Sequence, residues 1–204
     1  MGSVAPLYMG GQVLVELPHR ILLSAEAGWM PSPYASFINA VAQSFDAYND
    51  ETAQIIESAI TGAFVFRPSI GFRPSSDLEL EILAGYTLLV LSEDITGIDI
   101  IKDAVRRSSS SITGNEQVDL SSTIHGFHVT LAYSWELAEH WALRASLGYM
   151  QAVASSTSIE APVIERREPT EFRVLAAALD SYLDEKYTTY VKLPTLGLTL
   201  NYRF

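Results

Sequence analysis

The chain predicts an all-β membrane fold: an antiparallel, up-and-down transmembrane β-barrel of about eight strands, with α-helical segments in three long outer loops. Three observations carry this. The closing segment puts Leu196, Leu198, Leu200, Tyr202 and Phe204 on one strand face, and Gly197, Thr199, Asn201 and Arg203 on the other. Successive side chains of a strand point to opposite faces, so this pattern suits lipid outside and a polar lumen inside. The same period of two recurs in six earlier segments. The connections between them alternate between tight turns and stretches of about thirty residues, the asymmetry of a barrel with short turns at one end and long loops at the other.

The segments run in order. Leu7 to Leu17 places Leu7, Met9, Val13, Val15 and Leu17 on one face and Tyr8, Gln12 and Glu16 on the other. After Pro18-His19-Arg20, Ile21 to Trp29 sets Ile21, Leu23, Ala25, Ala27 and Trp29 against Ser24 and Glu26. Gly62 to Phe72 sets Phe64, Phe66, Ile70 and Phe72 against Arg67 and Ser69, with Arg73 next. Past the turn at Pro74 to Asp77, Leu78, Leu80, Ile82, Tyr86, Leu88 and Val90 oppose Glu79, Glu81 and Thr87. The fifth segment is the most regular, with Phe127, Val129, Leu131, Tyr133 and Trp135 against His128, Thr130, Ser134 and Glu136. Trp141, Leu143, Leu147 and Tyr149 follow against Arg144 and Ser146, and the seventh segment runs from about Tyr187 to Phe204. Three second strands carry a small or apolar residue, glycine and an aromatic: Ala27-Gly28-Trp29, Ala84-Gly85-Tyr86 and Leu147-Gly148-Tyr149.

Composition agrees with one domain over residues 1–204. Hydrophobic residues make up 48% and the net charge is −11, while mean hydropathy is +0.16. No apolar run approaches the roughly 18 residues that a membrane helix needs. Entry into a bilayer therefore requires a closed barrel, which leaves no backbone group unpaired in lipid. The absence of cysteine excludes disulfides and cysteine-ligated metals. The acidic balance excludes nucleic acid as a partner, because phosphate binding needs clustered Lys and Arg. Met1-Gly2-Ser3 reads as a start that replaces a removed secretory signal.

The long connections carry apolar residues at helical spacing. Helices are expected at about 33–60, with Phe37, Ile38, Val41 and Phe45; at 96–107, with Ile98, Ile101 and Val105; and at 169–187, with Phe172, Leu175, Leu179 and Leu183. Pro33 and Pro169 sit near two helix starts. Their polar faces are acidic or mixed, so packing on each other or over the barrel mouth is expected, rather than lying on a membrane surface.

With the apolar face outward, the lumen receives Glu16, Glu26, Glu79, Glu81 and Glu136, together with Arg67, Arg73, Arg144 and Arg203. About eight strands leave an interior that side chains just fill. Charges buried there must be paired, which predicts an ion-pair plug. Trp29, Phe72, Tyr86, Trp135, Trp141 and Tyr149 are expected at the lipid–water interfaces.

Alternation, turn asymmetry, charged lumen, interfacial aromatics and terminal Phe204 together resemble the small outer-membrane barrels of the OmpA/OmpX class. The resemblance covers the strands and not the helical loops. It implies a Gram-negative outer membrane and insertion by the barrel-assembly machinery, for which Leu196, Leu198, Leu200, Tyr202 and Phe204 would form the recognised C-terminal signal. These barrels have even strand numbers with both termini on the periplasmic side, and seven segments are read here. The eighth strand is expected before residue 1, from a partner, or within a loop.

For function, the expectation is a non-enzymatic barrel with a charge-plugged lumen, acting as a structural or interaction protein. Its partners would be outer-membrane lipid, the assembly machinery, and a protein at the outer loops or the seam. Two alternatives stay open: a small-solute or lipid pore gated by the loop helices, and an outer-membrane hydrolase. The latter would draw on Asp119, Ser121, Ser122, His125 and His128. Strand parity puts the two histidines on opposite faces, and the segment matches no hydrolase motif. No metal-ligand spacing, nucleotide signature or cofactor motif is present.

Overall fold

In the computed structural model, residues 2–5, 7–36, 40, 61–75, 78–96, 117–167 and 169–202 are described. Eight antiparallel strands close into a ring in sequence order. They are β1 (Gly2–Ala5), β2 (Tyr8–Leu17), β3 (Ile21–Trp29), β4 (Phe64–Phe72), β5 (Leu80–Thr96), β6 (Gln117–Ala138), β7 (Trp141–Glu160) and β8 (Lys192–Tyr202). Two helices, α1 (Pro162–Arg167) and α2 (Pro169–Tyr190), lie between β7 and β8. No helix among the described residues is long and apolar enough to cross a membrane.

The outward face is apolar. Met9 and Val13 on β2, Leu23 on β3, Ile70 on β4, Val129 and Leu131 on β6, Leu147 on β7, and Leu196 and Leu198 on β8 are all exposed. So large a continuous apolar surface is stable only against lipid. Aromatics bound it at intervals that match the ~9–11 residues needed to cross a bilayer on a tilted strand. Phe64 and Phe72 end β4, which has 9 residues. The same interval separates Phe127 from Trp135 on β6 and Trp141 from Tyr149 on β7. Trp29 and Phe64 meet edge to face, with ring centroids 6.1 Å apart, and Trp141 meets Tyr202 at 5.2 Å. All six expected interfacial aromatics are exposed, from Tyr86 and Tyr149 at 41% to Trp29 at 63%. In the three small-Gly-aromatic triplets the aromatic points out, and Gly28 is buried on the opposite face.

Several expectations are corrected. The eighth strand is Gly2–Ala5, within the chain itself. It pairs with β2 from Gly2↔Gly10 to Val4↔Tyr8, and with β8 from Gly2↔Thr199 to Ala5↔Leu196. The Leu7 N–H donates to the Val4 carbonyl at 2.7 Å, and this tight turn tucks Leu7 fully inside instead of onto the lipid face. The third and fourth predicted strands begin at Phe64 and Leu80 rather than Gly62 and Leu78. The last begins at Lys192, because residues from Tyr187 to Tyr190 are helical.

β6 and β7 run well past the apolar band. Their outward residues there, Ser121, Ser156, Ser158 and Glu160, are exposed and polar, and Ser121 and Ser158 share a hydrogen bond of 2.7 Å. This hairpin stands beyond the lipid. An extra residue in β7, Val153, shifts the register between His125↔Ala154 and Gly126↔Ala152, near the point where the strands leave the band.

At the opposite end the connections are short. His19 and Arg20 take left-handed backbone conformations (φ 65° and 64°) in the 3₁₀ turn at Pro18–Arg20. The Arg20 carbonyl accepts the Arg73 N–H at 3.0 Å, joining the first two turns. Of the three expected loop helices, 169–187 is observed as α2. Residues 32–36 and 40 are helical, and the rest of 33–60, like 97–107, lies outside the described residues.

Candidate functional site: the filled lumen

Inward side chains form three layers. The layer at the short-turn end is ionic. The Arg73 guanidinium lies 3.1 Å from Glu16, 3.4 Å from Glu79 and 3.3 Å from Glu81. Arg144 Nε donates to the other Glu81 oxygen at 2.8 Å. Arg144 is on β7 and Glu81 on β5, so this bond crosses the inner face of β6. The residue opposite Glu81 there is Ala132, small enough to let the arginine pass. Glu81 is 1% exposed and Arg144 3%, whereas Glu16 at 44% marks the rim.

The central layer is built by register. Gln12, Glu26 and Arg67 are direct partners across β2, β3 and β4, the closest relation that strands offer to side chains. Arg67 Nη1 donates to Glu26 Oε2 at 3.0 Å. The Tyr8 hydroxyl donates to the same oxygen at 2.6 Å, and Gln12 Nε2 donates to Oε1 at 2.9 Å. Gly28 makes the tyrosine contact feasible, since a Cβ there would fall 2.6 Å from the Tyr8 ring. Arg67 also sits 6.0 Å from the Tyr8 ring centre and donates to Thr130 at 3.4 Å. His128 bridges three strands: its Nδ1 meets Thr87 Oγ1 at 2.8 Å and its Nε2 meets Ser69 Oγ at 2.9 Å. It reaches Ser69 on β4 across Gly85, its register partner on β5, which has no side chain to block it.

A buried carboxylate is tolerable only when its charge is matched and its lone pairs are occupied. Glu26 meets both conditions. Removing one donor by Tyr8→Phe is therefore expected to destabilise the barrel by about 1–3 kcal/mol, read from urea unfolding in detergent. An unchanged midpoint would mean that Tyr8 does not hold Glu26.

The third layer, at the loop end, is apolar, in contrast to the uniformly polar lumen that the sequence predicts. Val65, Leu89, Leu91, Leu120, Ile124, Met150 and Leu193 point inward and are buried. Against them pack Phe172, Leu175, Leu179, Leu183 and Tyr187 of α2, each no more than 4% exposed. Their spacing of three and four residues makes one helix face. Two aspartates fix the helix to the wall: Asp184 accepts the Ser155 N–H at 2.8 Å, and Asp180 accepts the Thr157 N–H at 2.7 Å. The sequence signal for this layer is the run Leu88-Leu89-Val90-Leu91, where alternation fails because both faces are apolar, the outer against lipid and the inner buried in the loop-end cluster.

Seven of the nine charges expected in the lumen meet in the two polar layers: Glu16, Glu26, Arg67, Arg73, Glu79, Glu81 and Arg144. Glu136 is exposed near the turn end of β6. There the strand is ending at its turn: Glu136 is still in register with the buried Ala142, and the register shifts only after it, so it stands at the open rim of the inner face. Arg203 and Phe204 lie outside the described residues. Leu196, Leu198, Leu200 and Tyr202 line the lipid face of β8.

Residues considered for hydrolysis are dispersed. His128 is in the lumen, while His125 lies on the outer face bonded to the Tyr86 hydroxyl. Ser122 points inward to Thr157 at 2.8 Å. Ser121 shares the outer face with His125, but four strand residues separate them by about 13 Å. No group of His, Cys, Asp or Glu suited to a metal ion occurs among the described residues.

No protein-family model matches the chain, and no curated protein matches it. Among solved structures it is similar to the crystal structure of Acinetobacter baumannii CarO, at 11% identity and a TM-score of 0.31, covering 97% of this chain and 84% of that one.

Proposed function

We propose that the protein is a non-conducting outer-membrane barrel with a structural or interaction role, its outer loops forming the contact surface. One observation carries the reading. Ion pairs fill the lumen at the turn end and centre, and at the loop end the inward apolar side chains are buried in one cluster with the face of α2, which packs on β7. In this reading the turns after β2, β4 and β6 face the periplasm, and the long connections after β3, β5 and β7 face outward together with the tight β1–β2 turn. β8 supplies the strand recognised by the assembly machinery, and outer-membrane lipid covers the apolar band. Catalysis plays no part, which accords with the dispersal of Ser121, Ser122, His125 and His128.

A second reading has one observation in its favour. The loop-end cover is a separate helix rather than side chains of the wall, so its withdrawal would uncover the apolar inner face that includes Leu120, Ile124 and Ile159. That would suit a gated path for an apolar solute. Planar-bilayer recording distinguishes the two. A plugged barrel is expected to show no unitary current at moderate voltage. Discrete current steps from the wild-type protein would overturn the first reading.

A further inference from the structure

α2 ends on a sequence that favours a strand. Tyr187-Thr188-Thr189-Tyr190-Val191 is an unbroken run of aromatic and β-branched residues. Such residues lose side-chain freedom in a helix and suit a pleated sheet. β8 starts directly after it, at Lys192.

The strand beside this run is longer than its partner. Pairing of β7 with β8 ends at Gln151↔Lys192, and one more ladder bond follows, from the Ala152 N–H to the Val191 carbonyl at 2.9 Å. From Val153 to Glu160, no described strand lies on that side of β7. The N–H groups of Ser155 and Thr157 face this edge and are taken by side chains, Asp184 and Asp180. The two carboxylates stand one helical turn apart. That spacing, ~5.4 Å, approximates the ~6.6 Å between alternate strand residues. They occupy positions that the carbonyls of an adjoining strand would hold.

We infer that Tyr187–Val191 is a two-state element, exchanging between the last turn of α2 and an extension of β8 zipped onto the edge of β7. Register follows from the Ala152–Val191 bond and the extra residue Val153. Thr189 falls opposite Ser155 and Tyr187 opposite Thr157, so their carbonyls replace the two carboxylates. The parity of β8 agrees, since Leu193 and Thr195 point inward, as Val191, Thr189 and Tyr187 then would. Passing from ~1.5 Å to ~3.3 Å per residue lengthens this tether by about 7–9 Å. The added length frees Leu179 and Leu183 to leave the apolar layer, so the exchange is a gate at the loop end. The inference rests on the reading of α2 as the plug.

Amide exchange and backbone ¹³C shifts in detergent micelles test it, using Asp180→Ala/Asp184→Ala. Alanine favours the helix, so the substitution does not itself promote a strand. The expected result is that Tyr187–Val191 takes extended shifts while the Ser155 and Thr157 amides stay protected within about tenfold of wild type. Exchange at both amides a hundredfold or more faster, with Tyr187–Tyr190 helical or unstructured, would overturn the inference. Should that variant not fold, Thr188→Ala/Thr189→Ala in the wild-type background is the second arm. Its shifts at Tyr187 and Tyr190 should move further toward helix, and unchanged shifts count against exchange. A wild-type barrel that conducts would refute the plug while leaving these exchange outcomes readable.

Discussion

Replacing Arg67 with leucine is expected to destabilise the barrel by about 3–5 kcal/mol, more than any change to the rim charges. The reason lies in what remains. Glu26 is 6% exposed and Arg67 2%, so the carboxylate keeps its burial and loses its counter-charge. Tyr8 and Gln12 still donate to it, but neutral donors do not replace a cation at 3.0 Å. The double variant Glu26→Leu/Arg67→Leu should recover much of the loss, because it removes the unpaired charge. It will not recover all, because Tyr8 and Gln12 then lack an acceptor. At the rim the balance differs: Glu16 is 44% exposed and screened by water, so Glu16→Gln should cost less than about 1 kcal/mol. Urea unfolding of refolded protein, followed by tryptophan fluorescence, reads all of these. Additive costs for Glu26 and Arg67 would show that the pair is not coupled.

Part of this coupling is legible in the amino-acid sequence. Glu26 and Arg67 sit on predicted strands at inward parity, so the lumen is the expected place for both. Parity does not give register, and register is what puts Gln12, Glu26 and Arg67 side by side on three consecutive strands. The outward face is readable along β2 to β8 because the requirement it reports, apolar contact with lipid, repeats with period two. β1 is not readable. Gly2-Ser3-Val4-Ala5 is short and built of small residues, with no alternation to detect.

The upper reaches of β6 and β7 escape for another reason. Past Phe127 and Tyr149 the outer face meets water, so the polar–apolar contrast that marks a strand disappears, as in Ser155-Ser156-Thr157-Ser158. The helical stripe Phe172, Leu175, Leu179 and Leu183 is evident, and its burial is foreseeable. Its destination is not, since nothing in a helix names the surface that covers it. The clue lies in the barrel wall, where Leu89 and Leu91 are apolar at positions whose parity is inward. Residues Tyr187 to Tyr190 have the composition of a strand and the conformation of a helix. That is a conflict between local preference and tertiary contact of the kind that marks a switching segment.

The outward band gives the second large effect. Leu131→Arg is expected to cost about 2–4 kcal/mol in lipid vesicles. Leu131 lies on β6 midway between Phe127 and Trp135, the two aromatics that bound the band, and its register partners Ile82 and Leu147 share the outer face. An arginine there reaches neither interface without deforming the bilayer. Depth, rather than charge alone, should set the cost. Ser156→Arg on β7 is outward and exposed too, but stands past the band, and should change stability by no more than about 0.5 kcal/mol. Thr130→Ser, one residue from Leu131 but facing the lumen, keeps a hydroxyl within reach of Arg67 and should also cost little. The ordering Leu131→Arg far above Ser156→Arg and Thr130→Ser requires lipid against the outer face at the height of Leu131 and water at that of Ser156. Equal costs for the two arginine substitutions, or a protein that stays monomeric in water without detergent, would remove the membrane from the account and with it the reason for the apolar exterior.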